Sequence, residues 1–228
     1  ELTNKDDYNI ELDSSVYLDQ AIEELFSDID KEEKLKELLI EFAKFKLTLN
    51  KSWDISYDLK DFGLFIDKES NRIQVDYFKK MNFNFFSKIK KKLHKIKNDN
   101  TSNIHHLALS SIDLINNNGL DDNDFRGGFL NKYLKSFNNE DTFFINDSIE
   151  KSLKGETNLY NKTLEKSKVE RIEKIRINLL NNYLKIKESI IDIYKVNSTL
   201  SFLPSLSLIS RIEEKIEHIQ SDNKIRLI

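Results

Sequence analysis

The 228-residue sequence contains one proline, Pro204, five glycines and no cysteine. Proline and glycine are costly inside a helix and common in turns, so a chain this poor in both is most easily built from long helices. The lack of cysteine excludes disulfides, zinc–thiolate sites and cysteine nucleophiles within this sequence. No apolar stretch approaches the roughly 20 residues that are needed to cross a bilayer.

The composition that remains is typical of a folded chain. Hydrophobic residues make up 39% and charged residues 33%, with 15 Phe and 8 Tyr, which is too apolar for a disordered protein. The formal net charge is −3, so the chain as a whole does not favour nucleic acid. A polyanion site would therefore have to be local.

Polarity divides the chain into a short lead-in and a long patterned region. Residues 1–13 are polar and weakly patterned, which predicts a flexible N-terminal tether. Residues 14–228 carry apolar side chains at helical spacing and are predicted to form one helical domain. Because the first residue is Glu1 rather than Met, we also expect a segment upstream of it.

The apolar spacing predicts an all-α fold, a bundle of about six to eight amphipathic helices around a long C-terminal helix. That helix is expected to begin near Thr157 and to run to about Leu200. Breaks are predicted at Asn98–Asn100 and at Phe202–Ser205, and a helix is expected between Gln74 and Lys97. The buried positions of the long helix are predicted to include Ile172, Leu179, Leu180, Tyr183 and Ile190.

Two local structures remain open for residues Trp53–Val75. Alternation at Phe62, Leu64 and Ile66 is compatible with a small β-hairpin. Short helical turns are the preferred interpretation, because an isolated hairpin is only marginally stable.

No catalytic or metal-binding motif is present. The sequence lacks GxSxG, Walker A and GxGxxG patterns, so we predict no enzyme activity and no cofactor. The oxygen-rich loop Asn116–Asp124 does not match the ligand spacing of an EF-hand. His105 and His106 are adjacent and point about 100° apart on a helix, which does not suit a shared metal ion.

One local charge pattern stands out in the segment FSKIKKKLHKIK. Its lysines are predicted to lie on one side of a helix with Lys90 and Lys97 beside them, where they can contact phosphate or sulfate groups or an acidic protein surface. The alternative is an ordinary solvated helix face. The lysines of this stripe are Lys88, Lys91, Lys92 and Lys95.

The chain resembles the helical outer-surface lipoproteins of Lyme-disease spirochaetes. The resemblance rests on the composition rich in Asn, Lys and Ile, the polar lead-in Glu1–Asp13, the absence of cysteine, and amphipathic segments such as LDQAIEELF and KVERIEKIRINLLNNYLKIKESI. It covers the whole chain and lies in composition and helical pattern.

This resemblance implies a non-enzymatic binding protein displayed on the cell surface. It would be held to the outer membrane by a lipid on a cysteine upstream of Glu1, and would bind a host extracellular protein such as a complement regulator, plasminogen or a matrix component. Two further functions stay open. One is binding of nucleic acid or glycosaminoglycan by the lysine stripe, and the other is a structural role as a homodimer joined through the long C-terminal helix.

Overall fold

A computed structural model describes residues 9–11, 13–48, 50, 52–81, 83–137 and 143–227. About 80% of the structure is helical, which confirms the all-α prediction. The number of helices is close to the predicted six to eight. In chain order the elements are β1 (Asn9–Glu11), α1 (Ser15–Ser27), α2 (Glu33–Thr48), α3 (Ser56–Asp67), α4 (Arg72–Lys79), α5 (Phe83–Asn117), α6 (Phe129–Ser136), α7 (Asp147–Lys154), α8 (Lys166–Ser207), α9 (Ile209–Asn223) and β2 (Ile225–Leu227).

The chain forms two compact units. The first unit holds the described residues up to Lys90 together with those from Thr199 onward, and the second holds Lys91–Ser198. Helices α5 and α8 contribute residues to both units. Each unit has its own hydrophobic core. The sequence pattern indicated one helical domain over residues 14–228 and gave no sign of this division.

The core of the first unit forms where α1 packs against α3 and α9. Buried residues of α1 recur at three- and four-residue intervals and so share one face of the helix. Those of α9 follow the same spacing. The core residues of these two helices are Leu18, Ala21, Ile22, Leu25, Ile209, Ile212, Ile216 and Ile219.

A short parallel sheet joins the two ends of the first unit. Asn9 lies opposite Ile225 and Glu11 lies opposite Leu227, and the Asn9 N–H donates to the Lys224 carbonyl at 2.9 Å. Residues 9–11 therefore form a strand and do not belong to the predicted flexible tether. Their partner lies at the far end of the sequence, so no local pattern reveals the pairing. The remainder of the predicted tether, residues 1–8 and 12, lies outside the described residues.

Residues 53–75 are helical wherever they form regular structure. Helix α3, a 3₁₀ turn at Glu69–Asn71 and helix α4 follow one another without a strand among them. The preferred interpretation of short helical turns is confirmed, and the hairpin alternative is wrong.

Helix α8 supplies the central face of the second unit's core. Ile172, Leu179, Tyr183 and Ile190 are all buried, as predicted, whereas Leu180 is only partly buried and packs at the edge. The Tyr183 hydroxyl donates to the Asn146 carbonyl at 2.8 Å. Since this apolar face is covered within its own unit, it offers no support for dimerisation through that face.

The break predicted at Asn98–Asn100 is wrong, and the break predicted at Phe202–Ser205 lies a few residues later, at Leu208 between α8 and α9. Helix α5 runs through Asn98–Asn100 without interruption. Asparagine costs a helix less than about 1 kcal/mol per residue, and the Asn100 side chain donates back to the Ile96 carbonyl at 2.9 Å. The predicted helix Gln74–Lys97 is divided instead between α4 and α5.

Pro204 lies inside the last turn of α8, and the helix ends only at Ser207. Proline removes one intrahelical hydrogen bond. In this turn Leu203 is buried, and the Ser207 hydroxyl donates to the Pro204 carbonyl at 2.6 Å. The other end was also misplaced, because α8 begins at Lys166 and not near Thr157.

Helix α7 was not predicted from the sequence, although its ends carry recognisable signals. The Asn146 side chain accepts from the Ser148 N–H at 3.1 Å as an N-cap. Gly155 follows the last turn with φ of 87°, the left-handed conformation that glycine adopts without strain. With eight residues and few apolar side chains, the helix is too short to show a clear period.

Asp28, just after α1, forms ion pairs with Lys215 at 2.6 Å and Lys31 at 2.7 Å. Hydrogen bonds from Lys215 and then Lys31 lower the pKa of this carboxyl to about 2. The pKa of this carboxyl is lower in the folded protein than in the unfolded chain, so its ion pairs stabilise the fold at pH values above the unfolded pKa of about 3.9. This stabilisation is lost as the pH falls through the folded pKa.

We expect Asp28→Asn to be less stable than wild type at pH 7, with the difference shrinking between pH 4 and pH 2. Urea denaturation at several pH values measures this difference. Asp30→Asn, at an exposed position two residues on, is the matched control. Its difference in stability from wild type should stay the same between pH 4 and pH 2. A difference for Asp28→Asn that stays constant down to pH 2 contradicts the prediction.

Candidate functional site

The lysine stripe lies on one exposed face of α5. Lys88, Lys91, Lys92 and Lys95 are all exposed and follow the spacing that places side chains on one side of a helix. They extend over about 10 Å of helix axis. Among the residues that the structure describes, no ion pair occupies any of the four ammonium groups. Their positive charges are therefore available to a ligand.

The flanking lysines differ from those of the stripe. Lys90 is partly buried and forms an ion pair with Glu41 of α2. Lys97 is also partly buried, and exposed Asp99 lies one turn beyond Lys95, at the end of the stripe. On the other side of the helix, Phe86 is buried at 5% exposure and fixes the direction in which the lysines point.

A second surface feature, which the sequence did not suggest as a site, is a pair of exposed aromatic side chains. Trp53 precedes α3 and Tyr57 lies in its first turn; their exposed fractions are 69% and 71%. Between them, Ile55 is buried in the core of the first unit. The backbone around the aromatic pair is therefore anchored although the rings face solvent.

Buried Lys46 holds the segment between Trp53 and Tyr57 in place. Only 8% of this residue is exposed. Its ammonium donates to the Asp54 carbonyl at 2.6 Å and pairs with the Asp58 carboxylate.

The Asp54 carboxylate in turn accepts from the Ser56 N–H at 2.9 Å and the Ser56 hydroxyl at 2.7 Å, which lowers the pKa of Asp54. These bonds hold the backbone between Trp53 and Tyr57 in one conformation. A contact surface ordered before binding loses less entropy when a partner arrives.

Exposed large hydrophobic residues are concentrated in the first unit. Among the described residues, most of those in the first unit lie between α1 and α4, with Ile10 in β1 and Phe202 in α8 as the others. Those of the first unit are Ile10, Val16, Ile40, Leu47, Trp53, Tyr57, Leu64, Phe65, Ile73, Tyr77 and Phe202, and those of the second are Leu109, Phe144, Ile177, Leu184 and Tyr194.

Two further kinds of site concern metal ions and membranes, and both statements apply to the described part of the chain. It contains no cluster of three His, Asp or Glu side chains placed to hold a metal ion. None of its helices is both long enough and apolar enough to span a membrane.

No protein-family model, curated protein or solved structure matches the chain. The resemblance to spirochaetal lipoproteins, with the anchor and the partners that it implies, therefore stays a prediction. So does the absence of enzyme activity, metal and cofactor.

Proposed function

We propose that this protein is a non-enzymatic binding module that recruits a host extracellular protein through its first unit, with Trp53 and Tyr57 at the centre of the contact. The observation that carries the proposal is the exposure of these two rings, 69% and 71%, on a backbone held by buried Lys46. The resemblance to outer-surface lipoproteins favours display on the cell surface, with a lipid anchor in the outer membrane and a complement regulator, plasminogen or matrix component as partner.

Physical chemistry favours this choice of contact. Tryptophan and tyrosine supply much of the binding free energy at protein interfaces, because each buries a large area with few rotatable bonds. Two such rings on an ordered segment are suited to be the hot spot of an interface. Other exposed hydrophobic residues of the first unit would add to the interface wherever the partner reaches them.

The test is binding of purified complement regulators, plasminogen and matrix proteins to the immobilised chain. For whichever partner binds, Trp53→Ala with Tyr57→Ala should weaken affinity by about 30-fold or more, the effect of losing a hot spot worth about 2 kcal/mol. Ile177→Ala with Leu184→Ala, which removes exposed apolar side chains of the second unit, is the control and should bind normally. Failure of every partner to bind, or equal binding by both variants, contradicts the proposal.

Surface display has a separate test. A protein anchored at the outer surface is removed when intact cells are treated with protease, whereas a periplasmic marker protein survives. Survival of this protein in intact cells contradicts the proposed location and leaves the binding test unaffected.

The exposed and unpaired lysine stripe favours a second candidate function, binding of a polyanion such as heparin or DNA. Each neutralised phosphate releases counterion, so four contacts to duplex DNA should weaken by about 100-fold between 50 and 200 mM salt. No base-specific contact is needed, so binding should not depend on sequence.

Changing all four stripe lysines to Glu should abolish binding to heparin and DNA at low salt. A matched variant changes four exposed lysines outside the stripe, Lys34, Lys44, Lys166 and Lys174, to Glu and so has the same net charge. It should retain most of the binding if the stripe is the site. Equal loss in the two variants would show that only overall charge matters, and no binding by the wild type would leave the stripe as a solvated helix face.

A further inference from the structure

The second unit contains an open groove between α5 and α8. It has a volume of about 850 Å³, within the range of small-ligand sites. Its lining is mainly amide, hydroxyl and charged side chains. The lining residues are His106, Leu109, Ser110, Asp113, Leu114, Asn117, Asn178, Asn181, Asn182 and Lys185.

Two polar bonds join these helices, one of them through the lining residue Asn182. The Asn182 amide donates to the Ser111 hydroxyl at 3.0 Å, and the Asn103 amide donates to the Ser189 hydroxyl at 2.9 Å. As the sequence number rises along α5 in these pairs, it falls along α8, so the helices run antiparallel here. This register places Lys185 near the His106 end of the groove and Asn178 near the opposite end.

Several exposed side chains on the walls make no contact that the fold needs, unlike Asn182 and Leu114. Among the described residues, none forms a hydrogen bond with the side chains of Asn117, Asn178 or Asn181. No ion pair there involves Asp113 or Lys185. A concave site with several unengaged polar groups is suited to a polar ligand that can pair with each of them.

We propose that this groove binds an extended segment of a partner protein, four or five residues long, mainly through the segment's main chain. An asparagine side chain carries an N–H₂ donor and a C=O acceptor side by side, the same pair that each peptide unit presents. The α5 wall from His106 to Asn117 extends for about 16 Å, the length of about five extended residues.

Charge at the two ends gives the bound segment a direction. Lys185 marks one end and would pair with a carboxylate of the ligand. Asp113 and Asn117 lie toward the other end. The groove has no Trp, Tyr or Phe among its lining residues, and these are the flat apolar rings on which sugars stack, so an oligosaccharide fits it less well. This site lies in the second unit and does not depend on the contact proposed for Trp53 and Tyr57.

The first experiment selects ligands from a display library of random heptapeptides, with the full chain as bait, and measures the affinity of synthetic copies by fluorescence anisotropy. The double variant Asn178→Ala with Asn181→Ala should weaken selected peptides by about 10- to 100-fold, since each lost amide removes one or two hydrogen bonds. The matched control is Asn98→Ala with Asn116→Ala, two exposed α5 positions outside the groove lining. It should bind as wild type does.

Two further measurements separate main-chain recognition from other binding. N-methylation of the central peptide bonds should weaken the ligand by about tenfold or more, while alanine at the same positions should have a small effect. Lys185→Gln should weaken peptides that contain a carboxylate and leave neutral ones unchanged, with Lys174→Gln as its control.

Each alternative outcome overturns the proposal. If selection yields no peptide, or yields peptides that bind the double variant normally, the groove is not a peptide site. If a glycan array yields ligands that depend on Asn178 and Asn181 while peptides do not bind, the groove is a carbohydrate site instead. Circular dichroism of each variant establishes that the fold is intact, which alanine at exposed helix positions should preserve.

Discussion

Replacing Leu179 with alanine is expected to lower the free energy of unfolding by about 2–5 kcal/mol. Leu179 is 2% exposed and lies on the face of α8 that forms the core of the second unit. Alanine leaves a cavity that close-packed neighbours fill only in part, so the loss exceeds the transfer free energy of the missing methyl groups. Urea denaturation followed by far-UV circular dichroism measures the change.

Ile177 provides a control two residues away on the same helix. It is 69% exposed, so Ile177→Ala should change stability by about 0.5 kcal/mol or less. Hydrogen exchange should show the Leu179→Ala effect in amides of the second unit. A Leu179→Ala loss below about 1 kcal/mol would mean that this face is not the close-packed core that the structure describes.

The second large effect is expected at buried Glu213, on α9. This residue is 5% exposed. Its carboxylate lies 2.9 Å from the Lys79 ammonium and 3.5 Å from the Arg72 guanidinium. Among the described residues, its other oxygen, Oε2, has no hydrogen-bond partner. Removing both cations with Arg72→Met and Lys79→Met should therefore destabilise the protein by about 3–5 kcal/mol, because a buried charge remains without compensation.

A third substitution shows whether the loss of stability comes from the uncompensated buried charge or from lost side-chain packing. Adding Glu213→Leu to the double variant should recover most of the stability, since no buried charge is then left. Lys44→Met, at an exposed position on α2, should have little effect. A double variant as stable as wild type, or a triple variant no better than the double, would show that the charge on Glu213 is satisfied by other means.

The titration of Lys79 follows from the same contacts. Burial acts to lower the pKa of Lys79, but hydrogen bonds and charges from Glu213 and Glu217 raise it more, so its net direction is upward. A lysine whose folded pKa is raised stabilises the fold at neutral pH, and that contribution is lost only as pH rises above about 10.4.

Much of the helical architecture could be predicted from local patterns. Apolar residues at helical spacing identified α1, α2, α8 and the core positions of α8, because amphipathic periodicity is a property of each segment alone. The boundaries were less predictable. Asn98–Asn100 carries a helix-breaking signal of modest cost, and α5 continues through it. Proline costs about 3 kcal/mol in a helix interior, and α8 ends within one turn after Pro204.

The candidate sites could be predicted from the sequence less completely than the helices. The exposure of the lysine stripe follows from its spacing relative to Phe86 and could be predicted. The order of the Trp53–Tyr57 segment depends on Lys46, whose contacts with Asp54 and Asp58 appear only in the folded chain. The groove depends likewise on the register of α5 against α8. Sequence periodicity reports which face of a helix is polar but not which two polar faces meet.

The division of the chain has a consequence for its synthesis on the ribosome. The second unit is continuous in sequence, Lys91–Ser198, whereas the first needs residues from both ends of the chain. Every core contact of the second unit can form once Ser198 has emerged, and domains generally fold as units during translation. Helix α1 can pack against α3 early, but it must wait for α9 before its apolar face is fully covered. A nascent chain therefore carries an incompletely covered hydrophobic surface on α1 until residues 209–223 have been synthesised, and that surface is where a chaperone would be needed.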